Sequence, residues 1–313
     1  MTWGIADVPD LSGRTAVVTG PTLGGIGYFT ALELARGGAG VVLAGRSWGR
    51  LDEAEKQLRD DVPGARTEKV LLDLADLQSV RAAGEAINDA AYELGGPLHL
   101  LVNNAGVMAT PRARTVDGLD LQLATNHFGP FLLTGLLLES LVASGAGRIV
   151  TVSSLMHRFA RKAPLAYPTV AVGRYSPWGV YSQSKLANLL FTAELQRRLA
   201  AAGVPVTAYA AHPGYADTRL VANGPLAKWG AGRLASIGQA VSSAVAQSPQ
   251  AGALPTLMAA TADLEPGAFV GPGGPLGLNG APTLDTPSRL ARDPDAARAL
   301  WELSEQTTGI AYP

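Results

Sequence analysis

The chain has 313 residues, of which 47% are hydrophobic and 16% charged, and its formal net charge is −1. This composition is typical of a globular protein with a large core, and the lack of a dense basic cluster argues against a nucleic-acid partner. The chain has no cysteine, which excludes disulfides, thiol catalysis and thiolate-bound metal, and its four histidines are too scattered to predict a metal site.

Apolar runs typical of strands alternate with segments of helix length. The predicted strands are Thr15–Thr19, Val41–Ala44, Lys69–Leu72, Leu98–Val102, Arg148–Val152, Val206–Ala211 and Phe269–Val270. The predicted helices are Ile26–Arg36, Gly49–Arg59, Leu77–Tyr92, Val116–Ala143, Pro177–Ala201 and Gln250–Ala262. This alternation predicts a single α/β domain over residues 1–313, a doubly wound parallel sheet of seven strands with helices on both faces.

The C-terminal tail, about residues 266–313, is rich in glycine and proline from Pro266 to Pro287. We interpret the stretch from Pro266 to Pro287 as an ordered loop over the sheet edge, and a disordered tail is the alternative. The N-terminus lacks the basic and apolar regions of a signal peptide, and the most apolar stretch, Phe128 to Val142, is too short and interrupted to span a bilayer. We therefore expect a soluble, cytoplasmic protein.

A glycine-rich turn, Thr19 to Gly27, follows the first predicted strand. Such a turn lets the backbone approach a pyrophosphate and points a helix N-terminus at it, although glycines also simply separate strands from helices. The turn is not a P-loop, because no Lys-Ser/Thr follows Gly25. The residues expected to contact a dinucleotide here are Gly20, Thr22, Leu23, Gly25 and Ile26.

The end of the second predicted strand carries Arg46 and Ser47 and no acidic residue. An acid at this point would bind the ribose 2′-hydroxyl of NAD, whereas an arginine accommodates the 2′-phosphate of NADP. A guanidinium can bind a phosphate through two hydrogen bonds, and Ser47 is a neighbouring donor. We therefore predict NADP (NADPH) as the cofactor, the alternative for Arg46 being an ordinary surface arginine.

The same stretch, Gly45 to Gly49, also spells the G-x-S-x-G of a hydrolase nucleophile elbow. In a hydrolase this elbow stands deep in the chain, and its acid and histidine follow at later strand ends. Here it closes the second strand directly after a dinucleotide turn. The hydrolase interpretation is therefore disfavoured.

Tyr181 and Lys185 lie four residues apart near the start of a predicted helix that Ser176 and Pro177 begin. Residues at this spacing share one helix face. An ammonium beside a phenol favours its ionised form and lowers its pKa from about 10. A tyrosine adjusted in this way can exchange a proton with a carbonyl or alcohol oxygen.

The motifs occur in an order that resembles a single-domain short-chain dehydrogenase/reductase, closest to the retinol-dehydrogenase-like and WW-domain-oxidoreductase-like branch. The resemblance covers about residues 12–220 and implies a Rossmann fold. After the glycine turn, the matching residues are Asp73-Leu74, Asn103-Asn104-Ala105-Gly106, Asn126, Ser153-Ser154, Tyr181, Lys185 and His212-Pro213-Gly214 with Thr218. The chain departs from the family in its glycine turn, which is one residue longer.

The resemblance implies a role for each matching residue. Tyr181 is the general acid/base, and Lys185 lowers its pKa and holds the nicotinamide ribose. Ser154 binds the substrate oxygen, and Asn126 holds a relay water. The implied cofactor contacts, besides the turn residues, Tyr181 and Lys185, are Arg46, Ser47, Asp73, Leu74, Asn103, Ala105, Pro213, Gly214 and Thr218.

The sequence predicts the class of the substrate but not its identity. The segment between Ser154 and Tyr181, and a lid at about residues 214–240, carry many apolar and aromatic residues, which suits a lipophilic or aromatic ketone or aldehyde and its alcohol. Packing of these residues on the sheet is the alternative.

Two other functions stay open. One is a catalytically silent NADP(H) sensor or scaffold, which would need no proton relay. The other is an extended-type epimerase or dehydratase, which would need a larger C-terminal domain.

The predicted helix after the fourth strand is apolar around most of its circumference from Phe128 to Val142, and the helix from Pro177 also carries many apolar residues. A helix on a sheet needs only one apolar stripe, so its outer side must be covered as well. Pairing of both helices across a two-fold axis predicts a homodimer or homotetramer. Cover by the lid or the C-terminal tail of the same chain is the alternative.

Overall fold

The computed structural model describes residues 2–162, 174–215 and 247–313. The strands are β1 (Thr15–Thr19), β2 (Gly40–Gly45), β3 (Thr67–Leu71), β4 (Leu100–Asn103), β5 (Gly147–Val152), β6 (Val206–Ala211), β7 (Phe269–Pro272) and β8 (Pro282–Leu284). The helices of three turns or more are α1 (Ile26–Arg36), α2 (Trp48–Asp61), α3 (Leu77–Glu93), α4 (Gly129–Ala143), α5 (Pro177–Ala201), α6 (Pro249–Thr261) and α7 (Pro294–Thr308).

The strands form one sheet in the order β3-β2-β1-β4-β5-β6-β7-β8, in which β1 to β7 are parallel. Every residue of β1 is buried, as expected for a strand covered on both faces. The doubly wound prediction is confirmed. The strand order reverses between β1 and β4, and ligands of such sheets bind at the carboxyl edge beside this reversal.

The predicted bounds of α1 and α5 are those of the structure. The Ser176 hydroxyl accepts a hydrogen bond from the Gly179 N–H, and Pro177 occupies the first helical position, so the cap signals in the sequence set the start of α5. Tyr181 therefore lies in the second turn of this helix, and Lys185 lies one turn further along the same face.

The predicted helix Val116–Ala143 is wrong over its first residues. A turn closed from Gly118 N–H to the Thr115 carbonyl precedes it, and Gly118 has a φ of +79°. The Asp120 carboxylate then caps a short turn, Leu121–Leu123, which leads into a π-helical segment, Ala124–Phe128, before α4 begins. The Asp117-Gly118 turn and the Asp120 cap override the helical periodicity.

The stretch from Pro266 to Pro287, expected to be a loop over the sheet edge, is not a loop throughout, and a helix that was not predicted follows it. Strand β8 adds an eighth, antiparallel strand to the predicted seven, and α7 follows it. The Asp293 carboxylate caps the N-terminus of α7, and Gly309, with a φ of +67°, ends it. These are ordinary start and stop signals for a helix, and the glycine and proline content of the preceding segment masked them.

Helix α7 packs on α5 and on the outer side of α4. The Trp301 ring lies 5.0 Å from that of Phe131 and 5.9 Å from that of Phe191, measured between centroids, and the Tyr312 hydroxyl donates to the Phe131 carbonyl at 3.0 Å. The apolar circumference of α4 is therefore covered within the same chain, which is the alternative that the sequence left open. In the described ranges, no helix is long and apolar enough to cross a membrane.

Candidate active site

The glycine turn after β1 forms a close-packed cradle. A Cβ on Gly20, whose φ is +67°, would lie 2.9 Å from the Ala105 Cβ, and a Cβ on Gly27 would lie 2.3 Å from the Asn104 side-chain nitrogen. Asn104 in turn donates to the Thr19 carbonyl at 2.8 Å. The backbone after β4 is thereby held against the glycine turn, and only glycine fits at these two positions.

The longer turn is accommodated by an ordinary β-turn. The Gly25 N–H donates to the Thr22 carbonyl at 2.8 Å, and Gly24 takes a left-handed φ of +75°. Gly25 then serves as the N-cap of α1 without any side-chain bond to the first turn. The N–H groups at the start of α1 remain available to an anion such as a pyrophosphate.

The end of β2 provides a second group of donors. Arg46 is exposed and makes no ion pair with any residue that the structure describes. Ser47 is the N-cap of α2, but its hydroxyl makes no capping bond, so it is free to contact a ligand. Its φ of −145° and ψ of 115° are extended, unlike the strained turn of a nucleophile elbow, and this geometry disfavours the hydrolase interpretation.

Three other predicted cofactor contacts lie at the carboxyl ends of two strands: Asp73 and Leu74 follow β3, and Asn103 ends β4. The Asp73 carboxylate accepts from the Ala75 N–H, and Leu74 is buried against Gly129. Asn103 donates to the Thr134 hydroxyl, and its buried side-chain oxygen has no partner within the described structure. The Asn103 side-chain nitrogen is therefore directed toward α4, and the role of Asn103 as a cofactor contact stays a prediction.

Tyr181 and Lys185 meet Ser154 and Asn126 at the carboxyl end of β5, as the motif order predicts. Tyr181 and Lys185 are buried, and the Lys185 Nζ donates to the Val152 carbonyl at 3.0 Å. A Cβ on Gly106 would lie 3.1 Å from the Asn126 Oδ1 and 3.4 Å from the Lys185 Nζ, so both side chains converge beside this glycine.

The two adjacent serines have different environments. The Ser153 hydroxyl is buried and donates to the backbone carbonyl of Lys185 at 2.8 Å, which ties β5 to α5. The Ser154 hydroxyl accepts from the Met156 N–H and is the hydrogen-bond partner of Tyr181. Of the two serines, Ser154 is therefore the one that lies beside Tyr181.

Asn126 lies in the π-helical segment, a local widening that often occurs at functional sites. Its side-chain oxygen accepts from the Val107 N–H at 2.8 Å, and its nitrogen donates to the Val107 carbonyl and to the Ser184 hydroxyl, both at 2.9 Å. This side chain fastens the loop after β4 to α5. Its role as the holder of a relay water stays a prediction.

The expected lowering of the Tyr181 pKa by Lys185 is not what the structure shows. Burial raises the pKa of the Tyr181 phenol, and the hydrogen bond from Ser154 is what opposes the rise. The Lys185 ammonium is directed at the Val152 carbonyl and lies 5.9 Å from the Tyr181 ring centroid. Burial also lowers the pKa of Lys185 to about 8. A protonated phenol at neutral pH suits proton donation to a carbonyl oxygen.

Two residues that make contacts at this site, Gln122 and Ser184, were not predicted from the sequence. The buried Gln122 side chain donates to the Tyr175 hydroxyl at 2.9 Å and to the Pro177 carbonyl at 3.1 Å, so it anchors the start of α5. Ser184 binds Asn126, as described above. Neither residue stands in a pattern that indicates chemistry. Thr218, most of the predicted lid and part of the Ser154–Tyr181 segment lie outside the described residues.

A profile of the short chain dehydrogenase family matches residues 14–228, which hold the glycine turn, all four converging side chains and the segment after β6. This chain belongs to the short-chain dehydrogenase family. It is thus an oxidoreductase of a family that binds NAD(P).

Relatives of this short-chain dehydrogenase include polyprenol dehydrogenase of Mus musculus, which is 42% identical over 96% of this chain and 86% of that protein. Retinol dehydrogenase 12 of Homo sapiens is 42% identical over 69% of this chain and 66% of that protein. A solved structure of an uncharacterized protein from Mycobacterium paratuberculosis has a TM-score of 0.81 at 41% identity, with full coverage of both chains. An NAD(P)-dependent gluconate 5-dehydrogenase from Beutenbergia cavernae with bound NADP has a TM-score of 0.58 at 29% identity, covering 80% of this chain and 91% of that one.

Proposed function

We propose that this protein interconverts a lipophilic or aromatic ketone or aldehyde and its alcohol, with NADP(H) as the hydride carrier. The observation that carries the proposal is that Tyr181 meets Ser154, and Lys185 meets Asn126 beside Gly106, at the sheet edge that also holds the glycine cradle. A catalytically silent NADP(H) sensor is the alternative, but it gives no reason for a buried phenol, hydroxyl and ammonium to meet at one point.

The residues of the cradle suit a dinucleotide. Gly20 and Gly27 leave no room for a side chain, and the N-terminus of α1 and the free Ser47 hydroxyl present donors. Arg46 would hold a 2′-phosphate, and Pro213 and Gly214 would border the nicotinamide. The nicotinamide, when bound, supplies or accepts the hydride.

The side chains of the protein would manage the proton. Ser154 hydrogen-bonds Tyr181 and would hold the substrate oxygen beside the phenol. Tyr181, a phenol whose pKa burial raises further above neutral pH, would donate its proton to that oxygen during reduction and accept it during oxidation. Lys185 and Asn126 would keep the phenol and the Val107 backbone in place.

The names of the relatives suggest the substrates to test first. A panel of polyprenyl, retinoid, steroid and aromatic carbonyls, assayed with NADPH by loss of reduced-nicotinamide absorbance, should yield turnover for at least one long lipophilic member. L-Sorbose and gluconate analogues are suitable polar controls. Binding of NADPH without turnover of any carbonyl would support the sensor instead.

We expect Arg46 to set the cofactor preference. Wild-type protein should bind NADPH at least about tenfold more tightly than NADH, about 1.4 kcal/mol, because a guanidinium hydrogen bond to the 2′-phosphate is lost with NADH. Arg46→Ala should remove most of this difference without weakening NADH binding. Titration of both cofactors into both proteins measures it, and equal affinities in the wild type would contradict the prediction. Arg50→Ala, an exposed arginine further along α2, is the matched control.

Reduction should lose activity at alkaline pH. Because burial lowers the Lys185 pKa to about 8, its ammonium is present below this value and is lost as the pH rises through it. The kcat/KM for carbonyl reduction should therefore hold at about pH 6–7 and fall above about pH 8. In Lys185→Arg the guanidinium stays charged, so any remaining activity should not fall above about pH 8. An unchanged fall in that variant would mean that a group other than Lys185 causes it.

Assembly through α4 and α5 is no longer required by the apolar pattern, because α7 covers these helices. We expect a monomer of 32.3 kDa in sedimentation at micromolar concentration, with or without NADPH. A stable dimer would contradict this expectation, and the position of its interface would show whether α4 and α5 pair across a two-fold axis. The proposed location is cytoplasmic, which cell fractionation would test.

A further inference from the structure

A second group of titratable side chains lies behind the candidate site, where β5, β6 and β8 end. The His212 side chain is fully buried at the end of β6, next to Pro213 and Gly214. Its Nδ1 lies 3.1 Å from the Gly214 nitrogen, which can only donate, and its Nε2 lies 2.9 Å from the Asp285 carboxylate, which accepts. These partners define a neutral imidazole with the proton on Nε2.

Asp285 connects this imidazole to the rest of the group. It follows β8, and its carboxylate accepts from His212, from the Thr286 N–H and, through both oxygens at 3.0 Å, from Arg158. Burial opposes ionisation of Asp285, but the His212 and Thr286 hydrogen bonds outweigh it and hold the pKa of this carboxyl below its usual value. An ionised Asp285 is the acceptor that the buried Nε2–H requires.

The backbone that His212 holds has little freedom of its own. Gly214 has a φ of +65°, and a Cβ there would lie 2.4 Å from the Leu278 carbonyl. The next residue, Tyr215, donates its N–H to the same carbonyl at 2.7 Å. A second histidine reinforces the arrangement, since the His157 Nδ1 donates to the Ser154 carbonyl at 2.7 Å and its Nε2 accepts from the Ser288 N–H.

We propose that Asp285 is a positioning residue for the nicotinamide end of the cofactor. By keeping the His212 proton on Nε2, it leaves Nδ1 free to accept from Gly214 and so holds the Pro213–Gly214 backbone in one conformation. This inference rests on the proposed function, because Pro213 and Gly214 are there assigned to the nicotinamide. It concerns Asp285, which follows β8 and lies 73 positions from His212 in the sequence.

The test compares two ligands that reach different parts of the site. NADPH spans the whole cofactor site, whereas adenosine 2′,5′-bisphosphate occupies only the adenosine half and stops short of Pro213. Asp285→Leu leaves the buried Nε2–H without an acceptor, so it should raise the Kd for NADPH by about tenfold and leave that for the bisphosphate within about twofold. Asp285→Asn keeps an oxygen acceptor and should stay within about threefold for both ligands.

Two further variants keep the test decisive if Asp285→Leu does not fold. In His212→Asn the side-chain oxygen can accept from the N–H two residues on, as in an Asx-turn, whereas His212→Leu cannot. NADPH affinity should therefore be closer to wild type in His212→Asn than in His212→Leu. The matched control is Asp60→Leu, which removes an exposed aspartate paired with Lys56 on α2.

The outcomes separate this inference from the proposed function. Equal losses for both ligands in Asp285→Leu, or no loss for either, would overturn the positioning role while the function stands. Equal NADPH affinities in the two His212 variants would do the same. Wild-type protein that binds neither ligand would overturn the proposed function, and this inference with it.

Discussion

Tyr181→Phe is expected to reduce turnover by about 10²–10⁴-fold, the usual contribution of a positioned general acid. The phenylalanine ring keeps the contact with Trp178, at 6.2 Å between centroids, and loses only the hydroxyl that Ser154 binds. Affinity for NADPH should therefore change by less than about twofold, because the transferable proton contributes little to ground-state binding. Steady-state kinetics with the best carbonyl of the panel, together with an NADPH titration, measures both effects.

Tyr209→Phe is the matched control for this variant. Tyr209 is also buried, but its hydroxyl donates to the Leu264 carbonyl away from the site. It should lose some stability and keep its turnover. If Tyr181→Phe retained more than a few per cent of kcat, the proton would come from another group and the proposed mechanism would be wrong.

Trp301→Ala is expected to destabilise the fold by about 3–5 kcal/mol, the usual cost of emptying a buried aromatic site. Trp301 is 1% exposed, its ring contacts Phe131, Phe191 and Tyr312, and the Arg198 guanidinium lies 4.5 Å from its centroid. This loss is a large fraction of the roughly 5–15 kcal/mol that separates most native proteins from the unfolded state. Denaturant unfolding measures it as a lower midpoint.

Trp48→Ala provides the comparison. Trp48 is half exposed at the start of α2, so this substitution should change stability by less than about 0.5 kcal/mol.

The Trp301 variant should also test whether α7 covers the apolar surface of α4. If loss of this side chain loosens α7, the uncovered faces of α4 and α5 should promote association, visible as dimers or larger species in sedimentation. A Trp301→Ala protein as stable as Trp48→Ala would mean that α7 contributes little to the core.

Much of the fold follows from local patterns. Strand β1 is buried on both faces, and its continuous apolar run predicts this burial. The Ser176-Pro177 pair marks the start of α5 without any help from tertiary contacts. The motif order then places Ser154 and Tyr181 at one sheet edge, because the carboxyl ends of parallel strands lie on the same side.

Local patterns were misleading where two signals competed. From Val116 to Asp120 the helical periodicity gave way to a glycine turn and an aspartate cap. In the tail, glycine and proline content concealed the caps of α7 at Asp293 and Gly309. The Tyr181 pKa is also raised by burial, not lowered as expected, because spacing along a helix describes proximity and says nothing of burial.

The sequence by itself determined the order of the elements, the residues of the glycine cradle and the four side chains of the candidate site. Only the tertiary structure decided that α7 covers α4, that Asn126 lies in a π-helical segment and that Asp285 meets His212. The physical reason is the range of the interactions. Caps, turns and periodicity act within a few residues, so a sequence displays them, whereas contacts between distant segments exist only once the sheet and its helices have packed.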